Sequence, residues 1–176
     1  LYLKEKTMPT PENTACLARI NSKIANQPQV LEILNTWRKQ GANIVFTNGC
    51  FDILHRGHLE YLATAADLGS RLIVGLNEDA SVTRLKGAGR PVNTYADRAF
   101  ALAALEAVSM VVPFGEDTPE KLIQLVRPDI LVKGGDYTVE QIVGAGFVEE
   151  NGGKVVVINF TEGYSTTRFL NRIKEG

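Results

Sequence analysis

The chain has 176 residues and is 44% hydrophobic, enough for one sizeable core and too short for two ordinary domains. Nineteen Lys and Arg oppose twenty Asp and Glu, for a formal charge of −1. With no long basic run, a nucleic-acid or membrane surface is not expected and the partner should be a small molecule. Cys16 and Cys50 make no disulfide framework. The apolar run 101–114 is broken by Glu106 well short of a membrane span, and the N-terminus lacks the apolar centre of a secretory signal. A reducing, cytoplasmic setting is the expectation.

Residues 1–26 are polar, carry Pro9 and Pro11, and read as an N-terminal arm or linker ahead of a single domain over 27–176. In 28–40, Val30, Leu31, Ile33, Leu34 and Trp37 fit an amphipathic helix that stops at Gly41. Short apolar runs follow at 44–47, 71–76, 109–113, 130–132 and 154–158, each leading toward a helical pattern. Continuous apolar strands separated by helices suit a parallel sheet covered on both faces. Helix starts are signed by Thr94 with Asp97, by Thr138 with Gln141, and by Thr118 capping ahead of Pro119. A last helix is expected from Ser165 or Thr166, burying Phe169, Leu170 and Ile173. The predicted fold is α/β, a Rossmann-like doubly wound five-stranded sheet with its ligand crevice at the carboxyl ends of the strands.

Both histidines lie in one stretch, FTNGCFDILHRGHLEYL, residues 46–62. The first strand runs into a loop, and Gly57 opens a helix expected to bury Leu59, Leu62, Ala63 and Ala66. His55 and His58 thus stand at a helix amino end, where unpaired amides and the dipole favour an anion, and Gly57 lets phosphate oxygens near the backbone. Three residues apart, both can donate to one anion. A metal site of His55, His58 and Asp52 lacks the further Cys or His that zinc prefers, so no metal is assigned. Cys50 suits a nucleophile beside a histidine base, and equally a small buried apolar position. Two histidines that merely cap a helix are the plain structural alternative.

His55-Arg56-Gly57-His58 after GCFDIL resembles the H-x-G-H motif of the nucleotidyltransferase superfamily that includes glycerol-3-phosphate cytidylyltransferase and pantetheine-phosphate adenylyltransferase. GLNEDASVTRLKGAGRPVNTYADR, EDTPEKLI, PDILVKGGDY and FTEGYSTTRFLNRI are together similar to the heptose 1-phosphate adenylyltransferases, over residues 40–173. The resemblance implies transfer of AMP from ATP to D-glycero-β-D-manno-heptose 1-phosphate, giving ADP-heptose for the lipopolysaccharide core and pyrophosphate.

It further implies that His55 and His58 hold the triphosphate, His58 at the α-phosphate, with Lys86 as the family lysine that reaches phosphate. Thr47, Asn48, Gly49, Phe51 and Asp52 line the same loop. Cys50, Asp52, Asn77, Arg98 and Lys133 are assigned toward the sugar phosphate, although Arg98 also suits a surface salt bridge. Ser165, Thr166 and Thr167 match the family S-T-T, whose hydroxyls can bind phosphate while capping the last helix. Gly134 and Gly135 allow close approach to a base or ribose, with Asp136 as a polar anchor, though a tight turn explains the glycines as well. Magnesium is implied by the triphosphate and would be held mostly by phosphate oxygens and water.

Where related cytidylyltransferases read R-T-x-G-I-S-T-T, this chain has Phe160 at the arginine position, which puts ATP ahead of CTP. The rival readings are a cytidylyltransferase for an alditol or sugar phosphate, and a nucleotide-binding regulatory module without turnover. No sugar-kinase half fits in 176 residues. The pathway's kinase is therefore a separate protein, or it is fused to this chain through the arm. A homodimer is left open.

Overall fold

The computed structural model describes residues 15–135 and 137–159, with elements α1 (Ala15–Asn21), α2 (Gln27–Lys39), β1 (Ile44–Gly49), α3 (Arg56–Ala66), β2 (Arg71–Asn77), α4 (Asp79–Lys86), α5 (Tyr95–Ala103), β3 (Met110–Phe114), α6 (Glu120–Val126), β4 (Ile130–Gly134), α7 (Ala145–Glu150) and β5 (Lys154–Ile158). A single 3-10 turn, Val139–Gln141, precedes α7. The five strands pair in parallel in the order β3-β2-β1-β4-β5. Chain order reverses between β1 and β4, which opens a crevice at their carboxyl ends.

Alternation along the strands builds two cores. Ile44, Phe46, Ile73, Val112 and Leu131 face Val30 and Leu34 of α2, Leu122, Ile123 and Val126 of α6, and Val148 of α7. Val45, Leu72, Val74, Val111 and Val132 face Tyr61, Leu62 and Ala65 of α3 and Ala99, Leu102 and Ala103 of α5. The sheet is therefore covered on both sides, as the unbroken apolar strands predict.

Local signals account for several element ends. Asn26 and Gln29 form a reciprocal capping box at the start of α2, and Gly41, at φ 74°, follows its end. Thr94 caps α5 by accepting from the Asp97 amide. Thr138 and Gln141 also form their box, but it starts the 3-10 turn rather than a full helix. Thr118 does not cap α6: Pro119 takes the cap position, and its carbonyl accepts from the Ile123 amide.

Two further expectations are corrected. Helix α3 buries Gly57, Tyr61, Leu62 and Ala65, while Leu59 is 42% exposed and Ala63 faces solvent. Tyr61 sets this phase, because its hydroxyl meets Thr47 Oγ1 at 2.6 Å and donates to the Val132 carbonyl at 3.3 Å. Gly57 and Ala65, one turn either side, are small enough to let that ring lie against the sheet. Within the polar arm, residues 15–26 are packed. Ala25 is buried, Ile20 and Ile24 rest on the α5 side of the core, and residues 23–25 bond to Val111. The last helix predicted from Ser165 or Thr166 lies outside the described residues.

Candidate active site

The crevice at the β1/β4 reversal is floored by the loop that leaves β1. Phe51 adopts a left-handed backbone, φ 42°, uncommon for a bulky side chain. Its ring packs over Gly49, where an added Cβ would meet it at 3.0 Å, and presents its edge to His58 at 5.3 Å. His55 caps α3, its Nδ1 accepting from the His58 amide at 3.4 Å. The imidazoles stack with centroids 3.8 Å apart and planes 17° from parallel.

Two cations so close would repel. Burial first, and then the His55 charge, draw His58 down to about 4 against the opposing pull of the Ile53 carbonyl. Burial also lowers His55. Both rings are thus neutral near pH 7, and His58 Nδ1 is buried with no hydrogen-bond partner among the described residues. A buried, unpartnered imidazole nitrogen at a helix amino end suits a ligand better than a cap, since a mere cap leaves nothing unsatisfied.

The other side of the crevice carries the half-buried Lys133, whose ammonium donates to Asn48 Oδ1 at 3.2 Å. Burial lowers its pKa, with the nearby Cys50 opposing. Cys50 Sγ lies 3.8 Å from Asn77 Oδ1. Burial pushes this thiol up despite the cationic Lys86 and Arg98 nearby, so the protonated form dominates and a nucleophilic role is disfavoured. Asn77 Nδ2 in turn donates to Ser81. Lys86 ends α4 with its side chain exposed, and its charge is felt at Cys50.

Other predicted residues are turned into the protein. The Thr47 hydroxyl is paired with the Tyr61 hydroxyl. The Asp52 side chain is buried, and its carboxylate accepts from Arg90 Nε at 2.6 Å, the Val92 amide at 2.8 Å and the Asn93 amide at 3.0 Å. Desolvation would raise that carboxyl, but the two amides and the guanidinium outweigh it and hold it low. Arg98 is not a surface ion-pair partner. It is 1% exposed and donates to the carbonyls of Asn93, Cys50 and Asn77 and to Asp79 Oδ1. Gly57 and Gly134 are buried, and Gly135, at φ 115°, donates its amide to the Ile158 carbonyl. Asp136, Ser165, Thr166 and Thr167 lie outside the described residues. Among the described residues no three His, Cys, Asp or Glu side chains converge as a metal cage.

Sequence reasoning missed Tyr61, Arg90 and Asn93. Tyr61 was visible as a polar-tipped aromatic on a helix facing a threonine strand. Arg90 and Asn93 meet Asp52 from 38 and 41 residues away, a pairing no local pattern encodes.

Residues 46–172 match the cytidylyltransferase-like family. The chain belongs to that family. It is 54% identical over 156 residues to the bifunctional protein HldE of Nitrosococcus oceani, covering 89% of this chain and 33% of that protein. Against the bifunctional protein HldE of Pseudomonas paraeruginosa the identity is 57% over 147 residues, covering 84% and 31%. The chain thus spans about a third of the length of these curated relatives. Among solved structures it resembles the lipopolysaccharide core biosynthesis protein of Thermoplasma volcanium, with a TM-score of 0.56 and 27% identity, covering 71% of this chain and all of that one. A pantoate-beta-alanine ligase from Francisella tularensis, at a TM-score of 0.54 and 19% identity, covers 87% of this chain and 78% of its own and shares the fold alone.

Proposed function

We propose that this cytidylyltransferase-like chain transfers AMP from ATP to D-glycero-β-D-manno-heptose 1-phosphate. The carrying observation is the stacked His55–His58 pair, neutral, with an unpartnered buried nitrogen at the amino end of α3. An oxygen of the sugar phosphate attacks the α-phosphorus of ATP. The new P–O bond forms as the bond from the α-phosphorus to the bridging oxygen breaks, and that oxygen leaves with pyrophosphate. A phosphate monoester, with its second pKa near ~6, is already a competent nucleophile, so no general base is needed. What the protein supplies is placement and donors.

His58 and the α3 amides are the donors for the α-phosphate, His55 serves the leaving phosphates, and the cationic Lys86 and Lys133 flank the incoming sugar phosphate. Thr47, Asp52 and Arg98 shape the loop, their polar groups being taken by protein. Ser165, Thr166, Thr167, Gly134 and Asp136 are proposed for the nucleotide on the β4–β5 side. Magnesium, when bound, would neutralise charge on the triphosphate. With no carboxylate cage among the described residues, it would ride on phosphate oxygens and water.

Similarity to bifunctional proteins more than twice as long supports a setting in which a sugar kinase is joined to this domain through the N-terminal arm, whose residues 15–26 pack on the domain itself. We place the reaction in the cytoplasm, where ATP is available. No helix among the described residues is long and apolar enough to cross a membrane. The test is pyrophosphate release with four nucleoside triphosphates against a panel of sugar 1-phosphates and alditol phosphates. ATP with the heptose 1-phosphate should give the highest kcat/KM. Faster turnover with CTP would replace the proposal by the cytidylyl reading, and nucleotide binding without any turnover by the regulatory one.

A further inference from the structure

The segment between α4 and α5 is built as a tether. Lys86 ends α4, and Gly87 and Gly89 follow with positive φ, 92° and 81°, and no atom within 4 Å of where a Cβ would stand. Left alone, two such glycines would let the end of α4 wander. Two contacts close the turn: Thr83 Oγ1 donates to the Arg90 carbonyl at 2.7 Å, and the Arg90 amide to the Gly87 carbonyl at 3.3 Å. Arg90 then reaches across to the loop after β1, its Nε 2.6 Å from Asp52 Oδ2, with the carboxylate fully enclosed and the guanidinium mostly so. The other Asp52 oxygen takes the amides of Val92 and Asn93, and Asn93 Nδ2 donates to the Asp52 carbonyl at 2.6 Å. The buried Asp52 carboxylate thereby holds three atoms of the turn that follows Lys86, and the Asp52 carbonyl holds a fourth.

We infer that the Asp52–Arg90 pair is a latch that positions Lys86 over the crevice, and that neither residue touches substrate. Lys86 lacks an ion-pair partner of its own among the described residues, while its charge reaches Cys50, two residues before Asp52. A cation placed that way costs little backbone ordering on binding phosphate, because the backbone that carries it is already held. Asp52 and Arg90 are positioning residues in this account, and the kinetic part of it rests on the phosphate role proposed for Lys86.

A double-mutant cycle tests the latch. Arg90→Gln should lower kcat/KM for the sugar phosphate about tenfold or more, with ATP affinity by calorimetry within about twofold. Arg90→Lys, which keeps the charge but loses the forked geometry, should recover part of the loss. In a Lys86→Ala background Arg90→Gln should cost nothing further, since there is no ammonium left to place. Full additivity would overturn the latch and make Arg90 a direct substrate contact. An arm independent of turnover is amide hydrogen exchange in the full chain: Arg90→Gln should speed exchange at Val92 and Asn93 about tenfold or more. Unchanged protection there would overturn the latch whatever the substrate proves to be, whereas absence of turnover with faster exchange would sink only the assignment of the reaction.

Discussion

His58 is the side chain whose environment departs furthest from what its position in the sequence suggests. A histidine at the third position of a helix usually faces water, yet this one stacks on His55, meets the edge of Phe51 and buries a nitrogen without a partner. If that nitrogen serves the α-phosphate as charge grows there, His58→Ala should lower kcat by roughly a hundredfold or more, with a smaller effect on ATP affinity. His58→Asn, a shorter donor, should restore part of the rate. Normal turnover in His58→Ala would hand the stretch back to helix capping. The same burial sets a pH dependence. The unfolded imidazole takes up a proton near 6.5 and the folded one only near 4, so the unfolded chain binds more protons between those values. Stability from this group is fully present above about pH 6.5 and is lost as pH falls toward 4. The ligand-free protein should therefore melt progressively lower across that window, and His58→Asn should flatten the profile. A melting curve equally steep in the variant would show that other groups carry the acid sensitivity.

At the scale of the element, α3 aims this chemistry, and one hydroxyl sets its rotation. Tyr61 OH ties α3 to Thr47 of β1 and to the Val132 carbonyl of β4, so it joins the two strands between which the crevice opens. Tyr61→Phe leaves the buried Thr47 hydroxyl without its partner, at a cost of about 1–3 kcal/mol. For a chain of this size that is a fall in Tm of roughly 2–10 °C. Thr47→Val in the same background removes the orphaned hydroxyl and should return part of the loss. A double variant less stable than Tyr61→Phe alone would refute that account. The identity of α3 as a helix was legible from Gly57 onward, but its buried face only in part: Leu62 and Ala66 pack on the core as expected, whereas Leu59 and Ala63 do not. Counting apolar residues chose Leu59 and Ala63, because periodicity weighs side chains by hydropathy and cannot see that a tyrosine will turn inward when a hydroxyl and a carbonyl await it. Strands were easier: their apolar runs are continuous, and the two cores follow from alternation once both faces are covered. Asp52 and Arg98 show the opposite limit. Their place in the site region was readable from the motif, but their commitment to Arg90, Val92, Asn93 and three backbone carbonyls depends, Arg98 with Asn93 apart, on pairings 21 to 48 residues apart.

Across the whole molecule the sheet must also end somewhere, and an uncovered parallel edge strand invites pairing with other chains. At the β3 edge the chain supplies its own cover. The Val111 amide donates to the Lys23 carbonyl at 2.8 Å and the Ala25 amide to the Val111 carbonyl at 3.0 Å, so residues 23–25 add one parallel bridge beyond β3. Ile24 and Ile20 pack on the α5 side of the core, Ala25 inserts on the α2 side, and the Lys23 ammonium donates to the Leu105 carbonyl. Polar composition masked this, because three apolar residues spread over six positions suffice when the receiving surface is already built. Ala25→Pro removes the donor to Val111 and leaves that carbonyl unpaired, a loss of about 1–3 kcal/mol before any strain from the ring. The variant should melt roughly 2–10 °C lower and self-associate more readily on warming, as followed by light scattering. At a temperature well below its Tm it should keep its kcat/KM, because this bridge lies two strands from the histidine pair. A variant as stable and as monodisperse as the parent would mean that the bridge contributes nothing. A selective loss of kcat at unchanged Tm would mean instead that the edge is coupled to the crevice, and the division between a stabilising edge and a catalytic centre would have to be abandoned.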